Sequence, residues 1–148
     1  MKISDLDVKD DADFKGIDEE HKTIFNFIDK LHDIANQPKY HEYAIVILNS
    51  FIVFFVEHAI KEEQLLQHYL PAKLVDKHVS LHQDELNYLD ESLKTLSVEL
   101  SSINIQAIAE QLELEFKTHI FIYDKNIMKK LMEVKRTRKT VIESVRIN

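Results

Sequence analysis

The sequence contains no cysteine and no tryptophan. Without thiol groups the chain forms no disulfide, no thiolate zinc site and no cysteine-held iron–sulfur cluster. A transition metal in this protein would therefore need nitrogen and oxygen ligands. The 8 histidines and the 26 acidic residues are the side chains that can supply them.

Glycine and proline are also scarce, with one Gly and two Pro in 148 residues. Hairpins and strand turns commonly use these residues, so their scarcity favours an all-α fold. The length suits one domain, which buries roughly 70% of its unfolded surface. The acidic opening lacks the apolar core of a signal peptide, and no run of about 18 apolar residues occurs. These features predict a soluble, cytoplasmic protein without membrane insertion.

Charge is distributed unevenly along the chain. The net charge is −7, but residues 125–148 hold eight basic and two acidic residues, a net +6, which leaves −13 for residues 1–124. The acidic body disfavours nucleic-acid binding. The basic tail 125–148 is predicted to be a solvated helix lying against the acidic body, and the alternative is a docking arm for a protein partner.

Helical periodicity divides the chain into four amphipathic segments. The predicted bounds are 18–36 with Asp18 as N-cap, 41–69, a third helix starting at Pro71, and a fourth starting near Ile103. Residues 1–17 are predicted to be an extended arm anchored by Phe14 and Ile17. Short connections between four such helices predict an up-down-up-down four-helix bundle over about residues 18–124, within one domain 1–148.

Each predicted helix carries metal-ligand residues on its apolar face. His58 and Glu62 are four residues apart on the second helix, and His78 and His82 have the same spacing on the third. Side chains at this spacing lie about 6 Å apart on one helix face, so both can reach one metal. Each residue alone could instead be a buried, hydrogen-bonded structural side chain. The complete candidate set is His21, His58, Glu62, His78, His82, His119 and Asp124.

Five imidazoles and two carboxylates are too many ligands for one ion, so the set predicts two metals with bridging carboxylates. Imidazole-rich surroundings suit iron, with zinc, manganese and cobalt as alternatives. Asp124 follows His119 by five residues, which places it about 140° away on an ideal α-helix. A bridging Asp124 would therefore approach the metals from the side. His32, His41 and His68 are expected to be surface or helix-end residues.

The order His…HAIKE…HVSLH…HIFIYD on four successive helices resembles the hemerythrin family, over roughly residues 14–130. The segments GIDEEHK and EHAIKEEQLL are similar to the bacterial hemerythrins, which belong to the HHE cation-binding domains. The resemblance implies two iron ions in an Fe–O(H)–Fe centre that binds O₂ reversibly. It implies that one iron is held by three histidines, the other by two, and that two carboxylates bridge them: His78, His82 and His119; His21 and His58; Glu62 and Asp124.

The resemblance also implies a ligand pocket, whose residues would be Ile24, Ala59, Glu115, Phe116 and Ile120. Glu115 stands where the bacterial pattern commonly has Trp, Ala59 where an aromatic residue is frequent, and Phe116 where Leu is usual. The first two changes predict a wider and wetter pocket. Glu115 lies one helical turn before His119, so its carboxylate is expected to face either the metals or the solvent.

Three functions follow from these expectations. The first is reversible O₂ binding for storage, delivery or sensing by a protein that is not an enzyme. The second is a di-iron oxidase, or an enzyme that produces or consumes peroxide, with Glu115 as proton donor. The third is an O₂-responsive interaction module that signals through the basic tail. The competing ferritin-like di-metal site needs Glu-x2-His twice, and this spacing does not occur in the chain.

Overall fold

Four helical rods make up the protein in a computed structural model, which describes residues 12–147. The elements in chain order are α1 (Ala12–Ala35), a 3₁₀ turn (Pro38–Tyr40), α2 (Glu42–Tyr69), α3 (Ala72–Val98), α4 (Ser102–Thr118), a π-helix (His119–Asp124) and α5 (Lys125–Ile147). The last three elements follow one another without a loop and form the fourth rod. α1 packs against α2 and α4, and α2 packs against α3. The predicted all-α bundle is confirmed.

The helix ends follow local chemistry. Pro71 has extended backbone angles and directly precedes α3, since proline is tolerated at a helix start but not in its interior. Ser101 is the N-cap of α4, and its side-chain oxygen accepts a hydrogen bond from the backbone N–H of Asn104 at 3.1 Å. A 3₁₀ turn that begins at Pro38 separates α1 from α2.

The start of the first helix differs from its prediction. Within the described residues α1 spans Ala12–Ala35, so Asp18 lies inside the helix and does not cap it. Ile17, an expected anchor of an extended arm, is helical and 6% exposed. Residues 1–11, which are most of the expected arm, lie outside the described residues, as does the side chain of Phe14, the other expected anchor.

The core consists of two apolar clusters at different heights along the bundle. The larger one includes Ile28, Phe51 and Leu89. The smaller one contains Ile17, Leu66, Leu70, Val75, Ile127, Met128, Leu131 and Met132. On each rod the predicted metal ligands lie between residues of the two clusters, so the ligand layer has apolar side chains on both sides.

The fourth rod extends well past the ligand layer. Met128 and Leu131 of α5 are fully buried, so the packed core continues beyond Asp124, where the expected bundle ended. From Arg136 to Val145 the side chains of α5 are exposed. The sequence left open whether the fourth helix continues into the tail. It does continue, through the π-helix.

The helix α2 has the length and apolar composition that a membrane-spanning helix would need. The central helix of a soluble bundle satisfies the same criteria, because both must be apolar over much of their length. Here α2 packs against α1 and α3 and carries buried ligands in its second half.

Candidate metal centre

The seven predicted ligands meet in one buried layer of the bundle. Each of these residues is between 0% and 5% exposed. Three rods contribute through α-helices and the fourth contributes through its π-helix. The contributions are His21 from α1, His58 and Glu62 from α2, His78 and His82 from α3, and His119 and Asp124 from the π-helix.

Glu62 lies between two groups of histidines. Its Oε1 atom is 3.3 Å from Nε2 of His82 and is also in close contact with Nε2 of His78. Its Oε2 atom is 3.2 Å from Nε2 of His58 and 3.8 Å from Nε2 of His21. Two groups of neighbouring ligand atoms therefore share this one carboxylate.

Asp124 divides the histidines in the same way. Its Oδ1 atom is 3.0 Å from Nε2 of His78 and 2.7 Å from Nε2 of His119. Its Oδ2 atom is 3.1 Å from Nε2 of His21. Each carboxylate thus presents one oxygen to the group of His78, His82 and His119 and the other oxygen to the group of His21 and His58.

The π-helix explains how Asp124 reaches this position. It spans His119–Asp124, so it covers the five-residue step that an α-helix would turn away from the site. Hydrogen bonds in a π-helix join residues five apart, which brings side chains at that spacing onto one face. The turn of about 140° between His119 and Asp124 that an ideal α-helix predicts does not apply here, because the local helix is wider than an α-helix.

The separations between ligand atoms suit a shared cation. Two ligands bonded to one metal at about 2.1 Å and at right angles are roughly 3 Å apart. Most of the N···O separations in the layer are close to that value. The three-histidine group has five facing protein atoms, three nitrogens and two oxygens, and the two-histidine group has four. The second group therefore leaves more room for an added ligand.

Several of these atoms are buried without a hydrogen bond among the described residues. They include Nε2 of His21, His82 and His119, Oε2 of Glu62 and both oxygens of Asp124. A buried polar atom without a partner costs roughly 1–3 kcal/mol, and such atoms are uncommon in native proteins. These atoms converge on the three-histidine and two-histidine groups. This arrangement fits metal coordination, because a bound metal would give each of these atoms a partner.

The pKa shifts of the buried histidines and carboxylates also indicate that this layer favours bound positive charge. Burial alone would lower the pKa of His21, but the carboxylates of Asp124 and Glu62 outweigh it and raise this pKa to about 9. The same carboxylates raise the pKa of His78 to about 9 against the effect of burial. Burial would raise the pKa of Glu62, yet the surrounding histidines hold it well below its usual value. Two buried carboxylates thus attract positive charge, which protons or metal cations can supply.

Three further carboxylates contact the outer nitrogens of the histidines. Nδ1 of His58 is 3.0 Å from Glu20, and Nδ1 of His82 is 2.8 Å from Glu63. Nδ1 of His119 is in close contact with Glu85, which is 4% exposed. When Nδ1–H donates to a carboxylate, the lone pair of Nε2 is free to bind a metal and the ring orientation is fixed.

Sequence reasoning did not assign a function to these three carboxylates. Glu20 and Glu63 lie at the edge of the helix faces and resemble ordinary surface residues in the sequence. Glu85 did carry a signal, because it occupies the apolar stripe of the third helix three residues after His82.

The predicted pocket residues are mostly apolar and buried. Ile24, Phe116 and Ile120 belong to the larger apolar cluster, and Ala59 is 8% exposed. The ring centre of Phe116 is 6.4 Å from that of His119. These four side chains therefore form an apolar, buried part of the core.

Glu115 is placed differently from the other four residues. It lines a cavity of about 270 Å³ together with Glu85 and His119. Glu85 contacts Nδ1 of His119, whereas Nε2 of His119 faces Asp124, so this cavity adjoins the outer side of the imidazole. Glu115 accepts a hydrogen bond from the exposed Gln111 at 3.1 Å. Its carboxylate therefore lies on the solvent side of His119.

A second cavity of about 560 Å³ lies between α3 and the start of α5 and is lined in part by His78 and Tyr123. Both cavities border the three-histidine group. The remaining histidines lie outside the ligand layer, as expected. His32 is 3.1 Å from Glu113, His41 contacts the carbonyl of Ala35 at 3.2 Å, and His68 packs on Tyr69 at the end of α2.

The fold and the site together define an all-α bundle with a buried histidine and carboxylate cluster that could hold a metal ion. Comparison of the chain with known protein families, curated proteins and solved structures found no match. That this layer could hold a metal ion rests on its own geometry.

Proposed function

We propose that this protein is a hemerythrin-like di-iron protein that binds O₂ reversibly, for storage, delivery or sensing. The observation that carries the proposal is that two separate carboxylates each contact both groups of histidines. Glu62 and Asp124 come from different rods, yet each directs one oxygen to two members of the three-histidine group and its other oxygen to the two-histidine group. A single metal ion does not require this arrangement, whereas a bridged pair does.

The histidines of the two groups would hold one iron ion each. His78, His82 and His119 would hold one iron, and His21 and His58 would hold the other. When bound, a pair of iron ions supplies reversible electron transfer to O₂. The two-histidine position has fewer protein ligands, which favours it as the place where O₂ enters. The buried ring of Phe116 packs beside His119 of the three-histidine position.

Iron is favoured by the donor set. Imidazole nitrogens and carboxylate oxygens suit iron, and there is no thiolate to favour a softer metal. Two Fe²⁺ ions with two carboxylates and one hydroxide would leave about one net positive charge. The carboxylates of Glu20, Glu63 and Glu85 on the outer nitrogens place negative charge beside this positive centre, which favours the bound cations.

An oxidase remains the second candidate, with less support. The sequence suggested this alternative because Glu115 could act as a proton donor beside the metals. Glu115 instead lies on the outer side of His119 beside Glu85. The apolar surroundings of the layer favour reversible binding, because a dry pocket slows proton delivery.

The test combines metal analysis with spectroscopy. Protein produced in iron-supplemented medium should contain about two iron atoms per chain, one for each group of ligand atoms. Air should give a visible absorption band that disappears on deoxygenation and returns with O₂. His78→Ala should lose most of the metal, whereas the surface variant His32→Ala should retain it. A colourless protein, a single metal per chain, or equal loading of both variants would contradict the proposal.

A further inference from the structure

The outer face of α2 exposes a row of apolar side chains. Val46 is 58% exposed, Val53 is 61% exposed and Ile60 is 50% exposed. Each of them follows the previous one by seven residues, which is close to two full turns of an α-helix. The three side chains therefore form one stripe, about 21 Å long, which is called the α2 stripe below. Tyr43, 57% exposed, lies beside its first residue.

The surroundings of the α2 stripe are poor in charge. From Tyr43 to Ile60 the sequence contains one residue of the Asp, Glu, Lys and Arg types, namely Glu57. The half-buried side chains of Ile47 and Phe54 extend the apolar surface on one side of the helix. A surface helix normally carries charged residues on its outer face. Exposed apolar side chains with little charge among them are typical of the core of a protein–protein interface.

The α2 stripe is complementary to a second copy of itself in the antiparallel direction. Two antiparallel helices that cross at Val53 set each residue before this position opposite the residue equally far beyond it. Val46 then faces Ile60 of the partner subunit. Asn49 faces the partner's Glu57, and an amide N–H can donate to that carboxylate. A two-fold axis repeats both contacts, so the one charged residue of each stripe receives a polar partner.

The parallel arrangement of the same two helices is unfavourable. In equal register it would set Glu57 directly against Glu57 of the partner subunit. Two like charges opposed in an interface repel each other and cost free energy. The position of this one carboxylate therefore selects the antiparallel pair.

We propose that two copies of this chain associate through the α2 stripe, antiparallel to each other about a two-fold axis at Val53. The ligands His58 and Glu62 are buried, so they lie on the side of α2 that faces the bundle. The two cavities beside the metal layer are lined by α3, α4, the π-helix and α5. Association through α2 thus leaves these cavities open and does not depend on bound metal.

A lipid surface is the other class of partner that an apolar helix face could contact, and two observations disfavour it. Glu57 lies between Val53 and Ile60, where a lipid would offer its carboxylate no hydrogen-bond donor. Residues 1–124 carry a net charge of −13, which an anionic membrane surface repels. A second copy instead offers the amide of Asn49.

Sedimentation velocity of the full-length protein tests the association. We expect a dimer, twice the chain mass of 17.5 kDa, at tens of micromolar protein. Val53→Glu sets two carboxylates against each other at the two-fold axis and should weaken association about 100-fold or more. Val98→Glu makes the same change at a 90% exposed residue at the end of α3 and should leave the dimer intact. A monomeric parent protein would overturn the proposal, whether or not it floats with lipid vesicles, and so would equal effects of the two variants.

Cysteine cross-linking tests the direction of the pair, because the natural chain contains no cysteine. Val53→Cys protein should be joined to its own partner by a short bismaleimide. Val46→Cys alone should not be, since the antiparallel pair holds its two copies about 21 Å apart along the helices. A mixture of Val46→Cys and Ile60→Cys proteins should form linked heterodimers about tenfold faster than Val46→Cys links to itself. Self-linking of Val46→Cys as fast as that of Val53→Cys would overturn the antiparallel arrangement.

Discussion

Without bound metal, the folded bundle should lose stability as the pH rises from neutral to about 9. The carboxylates of Asp124 and Glu62 raise the pKa of His21 from 6.5 to about 9, and His78 shows the same rise. A group whose pKa is higher in the folded state binds its proton more tightly there. Its contribution to stability is therefore complete below pH 6.5 and disappears as the pH passes 9.

The size of this loss of stability follows from the rise in the histidine pKa. Each pKa unit corresponds to about 1.4 kcal/mol, so the rise of one histidine from 6.5 to about 9 is worth about 3 kcal/mol. His21 and His78 contact the same two carboxylates, so their contributions are coupled and do not simply add. We expect the free energy of unfolding of the metal-free protein to fall by about 3 kcal/mol over this interval.

Urea unfolding of chelator-treated protein, followed by circular dichroism at several pH values, measures this change. Metal-loaded protein should lack the fall, because metal binding displaces the protons and becomes stronger as the pH rises. Glu62→Gln keeps the side-chain shape but removes one of the two charges, so it should lessen the fall in the metal-free state. Stability of the metal-free protein that stays constant or rises between pH 6.5 and 9 would refute the reasoning.

Three other changes have defined outcomes. Glu85→Leu removes the partner of Nδ1 of His119 and should weaken metal binding about 10–100-fold in a chelator competition; unchanged affinity would show that this contact is dispensable. Ending the chain after Lys130 removes two buried side chains of α5 and should cost about 4 kcal/mol in urea unfolding, and an equal cost for a chain ending after Lys139 would be the contrary result. Glu115→Leu should leave the air-oxidation rate of iron-loaded protein nearly unchanged, because this carboxylate lies outside His119; a tenfold slower rate, about 1.4 kcal/mol in the barrier, would place it beside the metals instead.

The sequence by itself determined the helical class and where the four helix-forming stretches lie. Scarce glycine and proline disfavour most turns, and helical periodicity is a local property that a window of about 11–18 residues reveals. The spacing of His58 with Glu62, and of His78 with His82, likewise fixes a shared face from sequence alone. These features needed no information about distant parts of the chain.

Other features depended on how distant parts of the chain pack together. Asp124 joins the ligand layer only because the rod widens into a π-helix, a change that the periodicity of an α-helix does not contain. Glu20 and His58 are 38 positions apart in the sequence and lie on different helices, so no local pattern predicts their contact. The position of Glu115 beside Glu85 of α3 likewise depends on how α3 and α4 pack together. Helix formation depends on neighbouring residues, whereas the direction of each side chain across the bundle depends on interhelical packing, which only the tertiary structure specifies.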